Sequence, residues 1–263
     1  MARFPIMPMN SPAIRTLRTT VAGVEMHALI LVESVNPAPI PFVLVHGLGM
    51  SGDYLMPTAK LLARSATVYL PDLPGFGDSG KPAAALTIPE LAEALAEWLE
   101  AQQLAAPVLI GNSLGAQVIA ELAARFPDRL DRAVLIAPTV DPAARRVFRQ
   151  VLRLLGDIPR EPRALYPIAV RDYFRAGFRR VLETLRHALE HPIVERLGAI
   201  RCPVLVVRGG RDPIVPHSWA EQAARLAPRG QLVAIPEAAH AVNFNSPEAL
   251  VAEVLKFQNG DPR

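Results

Sequence analysis

The pentapeptide Gly111-Asn112-Ser113-Leu114-Gly115 decides how the rest of the chain is interpreted. It follows Pro107-Val108-Leu109-Ile110, a short apolar run that predicts a buried strand. It precedes an apolar-periodic stretch over 116–126, which predicts a helix ended by Pro127. A serine between a strand and a helix lies on a sharp turn, and the flanking glycines tolerate the tight backbone that exposes its hydroxyl. The pattern predicts that Ser113 is a nucleophile; a plain strand-to-helix turn with a solvated serine is the simpler alternative.

Composition limits the classes of protein to which this chain can belong. With 263 residues, 51% of them hydrophobic, it can form one large α/β domain or a domain with an insertion. No apolar run approaches the roughly 18 residues of a membrane-spanning helix, so we expect no membrane partner. Residues 1–9 have no continuous apolar stretch and do not resemble a signal peptide, which makes the cytoplasm the expected location. Cys202 is the only cysteine, which excludes an intramolecular disulfide and a cysteine-rich metal site.

The charge of the chain is mildly basic and unevenly distributed. The net charge is +3, and 25 of the 28 basic residues are arginine. Because 25 acidic residues are interspersed, this balance is weak support for nucleic-acid binding, and we expect no nucleic-acid partner. Residues 141–196 hold twelve arginines and seven acidic residues, so this stretch carries most of the excess.

Strand-like runs alternate with helix-like runs, which predicts a mostly parallel sheet covered by helices on both faces. The predicted strands cover 15–21, 24–33, 42–45, 66–70, 107–110, 133–137, 204–207 and 232–235. Beyond 116–126, helices are predicted over 88–103 with Thr87 as N-cap, over about 217–227, and for about ten residues from Pro247.

The alternation breaks once, between Thr139 and Leu197, where no strand pattern occurs. Arginine-rich, helix-like segments there are interrupted at Pro159, Pro162, Pro167 and Pro192. We predict a helical insertion at 141–196 over the ends of the strands, with 1–140 and 197–263 forming the core domain. Extra surface helices are the alternative.

A serine hydroxyl needs a base within hydrogen-bond reach, and that base needs an orienting acid. His240 lies in the loop after the last predicted strand, where a base can be aimed at the open edge of the sheet. The other histidines fall in a predicted strand, in the insertion or at element ends: His27, His46, His187, His191 and His217. His240 is therefore the predicted base.

The acid is expected between serine and histidine in the order Ser, Asp/Glu, His. Asp212 lies in Arg208–Pro216, the stretch that directly follows the predicted strand 204–207, and is the preferred candidate, although an Arg-Asp-Pro sequence also suits a turn. Asp141, just beyond the strand 133–137, is the rival acid.

The charge that develops on a carbonyl oxygen needs fixed donors. The backbone N–H of Leu114 and that of Leu48, within His46-Gly47-Leu48-Gly49, are the predicted pair. His46 is more simply a structural turn residue than a second base.

Together with Ser113, Asp212 and His240, the runs His46–Gly49 and Asp72–Ser79 give the chain a clear resemblance to the α/β-hydrolase superfamily. The motifs occur in order over nearly the whole chain. The resemblance implies an eight-stranded sheet with a small helical cap at about 141–196, and it implies neither a metal nor an organic cofactor.

The stretch Gly75-Phe76-Gly77-Asp78-Ser79-Gly80 also fits the Gly-x-Gly-x-x-Gly pattern of dinucleotide-binding loops. Such a loop opens a helix immediately, whereas Lys81-Pro82 and an alanine-rich linker follow here. We therefore expect no nucleotide site.

Within the superfamily we predict a serine carboxylesterase that acts on small or medium esters. Asn112 also resembles carbon–carbon bond hydrolases of ring-fission dienoates, in which Arg171 or Arg175 would hold a carboxylate. This chain differs from the usual sequences of those enzymes at Leu48-Gly49-Met50-Ser51 and at Ala241. A hydrolase-fold binding protein without catalysis is the alternative of another class. The sequence does not determine the oligomeric state.

Overall fold

The computed structural model of the protein describes residues 12–33 and 38–260. The stretch 1–9, on which the expectation about a signal peptide rests, lies outside the described residues. No described helix combines the length and the apolar character needed to cross a bilayer.

Eight strands form one sheet in the order β1-β2-β4-β3-β5-β6-β7-β8. β2 pairs antiparallel with β1 and with β4, and every other neighbouring pair is parallel. The mostly parallel eight-stranded sheet predicted from the sequence is thereby confirmed. The strands are β1 Ala13–Val21, β2 Val24–Val32, β3 Ala38–Val45, β4 Ala66–Pro71, β5 Val108–Asn112, β6 Arg132–Ile136, β7 Val204–Gly209 and β8 Gly230–Ile235.

The central strands carry continuous apolar runs because both of their faces are buried, as expected for parallel strands. Phe42 to Val45 of β3 and Ala133 to Ile136 of β6 are buried without interruption. The two edge strands are different, since most of β1 is exposed and β8 is only partly buried. The core therefore lies around β3, β5 and β6, which end at the same edge of the sheet.

Ten helices of the described residues cover the sheet and the edge at which β3, β5 and β6 end. They are α1 Met56–Leu62, α2 Ile88–Ala101, α3 Leu114–Arg125, α4 Val147–Asp157, α5 Leu165–Ala176, α6 Phe178–Glu190, α7 Ile193–Ala199, α8 His217–Leu226, α9 Val242–Asn245 and α10 Pro247–Asn259. Thr87 caps α2 in a reciprocal arrangement with Glu90, as its sequence predicts. The short helices α1 and α9 had no recognisable pattern in the sequence.

Residues 141–196, called the helical segment below, contain α4, α5, α6 and the first residues of α7. The predicted end at 196 falls inside α7, which continues to Ala199. The Ser51 hydroxyl donates to Asp172 of α5 over 2.6 Å. His191 lies 2.9 Å from Glu121 of α3, so the middle of the segment and its C-terminal end are tied to the core.

Candidate active site

Ser113 occupies the turn between β5 and α3, at the centre of the sheet edge. Its φ of 56° and ψ of −113° lie in a region that non-glycine residues rarely adopt, and such strain is concentrated at functional positions. A Cβ on Gly115 would lie 2.3 Å from the carbonyl oxygen of Val45, and one on Gly111 would lie 2.4 Å from the carbonyl carbon of Gly115. Both glycines are therefore required by close backbone packing around the serine.

Asp212 and His240 meet although 28 residues separate them in sequence. Asp212 follows β7 and His240 follows β8, and the adjacent parallel strands bring both loops to one edge. His240 Nδ1 donates to Asp212 Oδ2 over 2.9 Å. The other oxygen, Oδ1, accepts from the N–H groups of Ile214 and Val215 at 2.7 and 3.1 Å, so the buried carboxylate is fixed in orientation.

The rival acid, Asp141, is engaged elsewhere. Its Oδ1 caps a short helical turn by accepting from the N–H of Ala143 at 2.9 Å. Its Oδ2 forms an ion pair with Arg153 at 3.0 Å. Asp212, and not Asp141, is therefore the carboxylate that contacts His240.

The charge around His240 favours its protonated form. Burial lowers the pKa of this imidazole, but the hydrogen-bonded Asp212 and the nearby Asp157 and Glu161 outweigh burial and raise it to about 9. Burial has the opposite effect on Asp157, because it raises the pKa of a carboxyl. It brings the pKa of Asp157 to about 7, against the attraction of His240, which lowers it. The site thus holds two groups that exchange protons in the neutral to mildly alkaline range.

A cavity of about 210 Å³ contains Ser113 and His240 in its wall. Leu48 and Leu114, the predicted oxyanion donors, line the same cavity. The four residues are thus brought together on one surface. Much of the remaining wall is apolar, including Met50, Val140, Leu154, Leu165, Ala169 and Ile214.

Asn112 connects the three loops that build this surface. Its Oδ1 accepts from the Tyr54 hydroxyl at 2.8 Å, and that hydroxyl oxygen accepts from the N–H of Gly47 at 2.8 Å. Its Nδ2 donates to the carbonyl oxygen of His240 at 3.1 Å. Asn112 therefore holds the Gly47–Leu48 loop and the His240 loop in a fixed position relative to Ser113.

Two acidic residues from the helical segment enter the site, and no sequence pattern had indicated them. Asp157 ends α4, lines the cavity, and accepts a long hydrogen bond of 3.4 Å from the N–H of His240. Glu161 accepts from the N–H of Ala241 at 2.7 Å and from the amide of Asn245 at 3.0 Å. Among the cavity residues within the described ranges, the ionisable acids and bases besides tyrosine are Asp157, Glu161 and His240.

The two arginines proposed to hold a substrate carboxylate do not line the cavity, which corrects that expectation. Arg171 pairs with Asp53 at 2.6 Å and with Asp172 at 2.7 Å. Arg175 pairs with Asp78 at 2.9 Å. Each arginine is neutralised by a carboxylate of its own protein outside the cavity.

His46 is used within the fold. Its Nδ1 donates to the carbonyl oxygen of Gly47 at 2.9 Å, and its Nε2 accepts from the N–H of Leu73 at 2.9 Å. Burial lowers the pKa of His46, so the ring is neutral. It fixes the loop after β3 against the loop after β4.

The Gly75–Gly80 stretch closes on itself as a turn, because the N–H of Gly75 donates to the carbonyl oxygen of Gly80 at 2.8 Å. The next helix along the chain is α2, which begins only at Ile88. The geometry is therefore unlike the strand–loop–helix connection that holds a dinucleotide.

Among the described residues, three groups outside this cavity lie close enough together to consider as metal ligands: His27, Asp72 and Asp78. The Asp72 carboxylate already accepts from His27 at 2.8 Å and from the N–H groups of Gly52 and Asp78 at 2.7 and 2.9 Å. Because donors surround this carboxylate, a cation there would face N–H groups. The cluster therefore serves to fix two loops.

Comparison with known proteins agrees with this architecture. The profile of the alpha/beta hydrolase family matches residues 42–254. A Caulobacter protein assigned as the carbamate hydrolase RutD is 31% identical over 245 residues, which are 83% of this chain and 90% of that protein. An Agrobacterium fabrum protein with the same assignment is 29% identical, over 86% of this chain and 96% of its own length. The solved structure of a thermophilic esterase from Thermogutta terrifontis is 25% identical, covers 93% of this chain and 98% of its own, and superposes with a TM-score of 0.72. The match of the family profile to most of the chain and the likeness to the Caulobacter protein place this chain in the alpha/beta hydrolase family.

Proposed function

We propose that this chain is a serine hydrolase that cleaves carboxylic esters through an acyl-enzyme. Ser113 is the nucleophile, His240 is the general base and acid, and Asp212 holds the imidazole in the required tautomer. The observation that carries the proposal is the 2.9 Å bond from His240 to Asp212 beside a strained serine in the same cavity.

In the first half-reaction, Ser113 Oγ attacks the ester carbonyl carbon while its proton moves to His240 Nε2. The oxygen of the tetrahedral intermediate is stabilised by the N–H groups of Leu48 and Leu114. The intermediate collapses, His240 gives the proton to the departing alcohol oxygen, and the acyl group remains on Ser113. Water then attacks the acyl-enzyme by the same proton route, which releases the acid and restores the serine.

The helical segment acts as a cap over this site in our proposal. Val151, Leu154 and Leu165 from its helices line the cavity together with Ser113 and His240. The cap supplies much of the wall against which an acyl or alcohol group would pack.

The charge of the cavity wall favours neutral acyl groups. A carboxylate substrate would face Asp157 and Glu161, and the one cationic group of the described wall, His240, is already hydrogen-bonded to Asp212. No arginine or lysine of the described wall compensates for repulsion and desolvation. Because Arg171 and Arg175 are paired elsewhere, the wall does not favour the dienoate reaction. Esters with an apolar acyl chain fit both the charge and the apolar lining.

The similarity to RutD proteins makes carbamates a second candidate class. A carbamate presents the same carbonyl carbon to Ser113 and would use the same donors at Leu48 and Leu114. The esterase from Thermogutta terrifontis supports esters as the first choice.

Two measurements test the proposal. A fluorophosphonate probe should label Ser113, identified by peptide mass spectrometry, and Ser113→Ala should remove the label. A panel of p-nitrophenyl esters of increasing acyl length, with matched p-nitrophenyl carbamates and a dienoate, should show the highest kcat/KM for a neutral ester. Absence of labelling on folded protein would instead favour a non-catalytic binding protein, and preference for the carbamates would move the assignment to the second class.

A further inference from the structure

The exposed large apolar side chains of this protein are concentrated in one segment of the chain. Of eleven such residues among those described, ten lie between 148 and 182 and only Ile14 lies elsewhere. We call these ten the apolar face: Phe148, Val151, Leu152, Leu154, Leu155, Ile158, Val170, Phe174, Phe178 and Leu182. Phe148 and Phe174 are each 70% exposed. Groups of exposed apolar side chains of this kind mark surfaces that bind a partner.

The two phenylalanines beside Gly177 project from the junction of α5 and α6. Phe174 and Phe178 are 70% and 69% exposed, and their rings pack edge to face with centroids 5.9 Å apart. They form a paired aromatic projection that contributes a large area to any surface they contact.

The exposed charges of the helical segment are mostly positive. Nine of its arginines are exposed, whereas four of its seven acidic residues are buried. Only Glu190 and Glu195 among its acidic residues are as exposed as those arginines. Six exposed arginines form no ion pair with any described residue: Arg145, Arg146, Arg149, Arg160, Arg163 and Arg186. The segment therefore presents free cations around exposed apolar groups.

The apolar face is continuous with the cavity. Val151, Leu154 and Ile158 line the cavity and are also 40%, 40% and 47% exposed. An apolar molecule that leaves a surface in contact with this face can thus reach the cavity beside Ser113 along apolar side chains.

We propose that the apolar face docks on the surface of a lipid bilayer that contains anionic headgroups, with the free arginines contacting phosphates and the apolar side chains inserting among acyl chains. This mode of attachment needs no membrane-spanning helix, and it revises the sequence-based expectation that the protein has no membrane partner. The inference does not depend on which bond the enzyme cleaves. It predicts that the substrate class includes compounds that partition into lipid.

Charge decides between a lipid surface and a second copy of this chain as the occupant. Two copies packed through this face would bring their unpaired arginines together with few exposed acids to neutralise them. An anionic bilayer supplies negative charge over the whole contact, and each arginine near it strengthens binding by about fivefold at moderate ionic strength.

Vesicle co-sedimentation of the full chain tests the proposal. We expect binding to phosphatidylcholine vesicles that contain phosphatidylglycerol, weaker binding to phosphatidylcholine alone, and loss of binding as salt is raised. The double variant Phe174→Ser/Phe178→Ser should weaken binding by about tenfold or more. Ile14→Ser removes an exposed apolar side chain outside the face and should bind like the wild type.

The charge contribution is tested with a matched pair of double variants. Arg149→Glu/Arg186→Glu should weaken binding to anionic vesicles by about tenfold or more. Arg64→Glu/Arg229→Glu changes the net charge equally but lies outside the helical segment, and its effect should be much smaller. Circular dichroism and urea unfolding of every variant establish that the fold is retained.

Three results would overturn the proposal. The first is a failure of the wild type to bind anionic vesicles at low salt. The second is a loss of binding in the control variants as large as that in the variants of the face. The third is a dimer, detected by light scattering without lipid, that Phe174→Ser/Phe178→Ser dissociates, since this would assign the face to a second copy. Hydrolysis of water-soluble p-nitrophenyl acetate, followed without lipid, reports on the proposed reaction separately.

Discussion

Replacement of Asp212 by asparagine tests the geometry of the site most directly. The carboxylate has two separate tasks: Oδ1 accepts from two backbone N–H groups, and Oδ2 accepts from His240 Nδ1. An asparagine can keep its carbonyl oxygen on the N–H groups of Ile214 and Val215, so the loop after β7 should retain its conformation. The amide NH₂ then faces His240 Nδ1, and two donors would oppose each other.

The imidazole resolves this conflict by changing its tautomer. Nδ1 becomes the acceptor, and the proton moves to Nε2, the atom that must receive the proton of Ser113. We expect kcat to fall by about 10³- to 10⁴-fold, equivalent to roughly 4–5.5 kcal/mol of lost transition-state stabilisation. Loss of the negative charge of Asp212 also removes the main influence that raises the pKa of His240.

Asp141→Asn is the matched control for this prediction. It removes a carboxylate of the same size from a loop one strand away, where its partner is the partly exposed Arg153. We expect kcat to change by less than about threefold, because such a pair contributes little and does not contact His240. Steady-state hydrolysis of p-nitrophenyl acetate gives kcat, and circular dichroism with urea unfolding establishes that both variants fold. Equal losses in the two variants, or a larger loss in Asp141→Asn, would refute the assignment of the acid.

Three further predictions concern other parts of the site. Ser113→Ala should lower kcat by about 10³-fold or more, since only binding and oxyanion stabilisation would remain. A kcat of this variant close to that of the wild type would contradict the assignment of Ser113 as the nucleophile. Asp157→Asn removes one of the carboxylates that, after Asp212, contribute to raising the pKa of His240 to about 9. The rising limb of kcat/KM against pH, which requires the unprotonated imidazole, should therefore shift toward lower pH by about one unit; an unchanged or higher midpoint would count against this electrostatic coupling. Arg171→Ala and Arg175→Ala should each change KM for neutral short esters by less than about twofold because both lie outside the cavity; a sharp loss on an acidic substrate that the wild type cleaves well would restore the carbon–carbon hydrolase alternative.

The strands of the parallel sheet and the three residues of the proposed catalytic set were accessible from sequence for a local reason. Ser113, Asp212 and His240 each follow a short apolar strand, and parallel strands deliver their carboxyl ends to one edge. Each position could therefore be inferred from the few residues before it. Asn112 was singled out only through family resemblance, while its two side-chain hydrogen bonds show a structural task in holding the loops together.

The walls of the cavity could not be predicted in the same way. Asp157 reaches the N–H of His240, and Glu161 reaches the N–H of Ala241, through the packing of a helical insertion. Their neighbours in sequence carry no mark of these contacts. Arg171 and Arg175 illustrate the converse error. Their partners Asp53 and Asp78 are distant in sequence, so an arginine excess in the segment could not reveal which cations were already paired.

The bonds from Glu161 to the loop after β8 have a consequence for how this enzyme can be altered. Its carboxylate is the acceptor for the buried N–H of Ala241 and for the Asn245 amide. A helical segment transplanted from a relative that lacks an acceptor at this position would leave that N–H unsatisfied, at a cost of about 1–3 kcal/mol next to the histidine. The segment is therefore not an interchangeable module. Chimeras designed to change substrate preference will need residues 161, 241 and 245 to be exchanged as one unit.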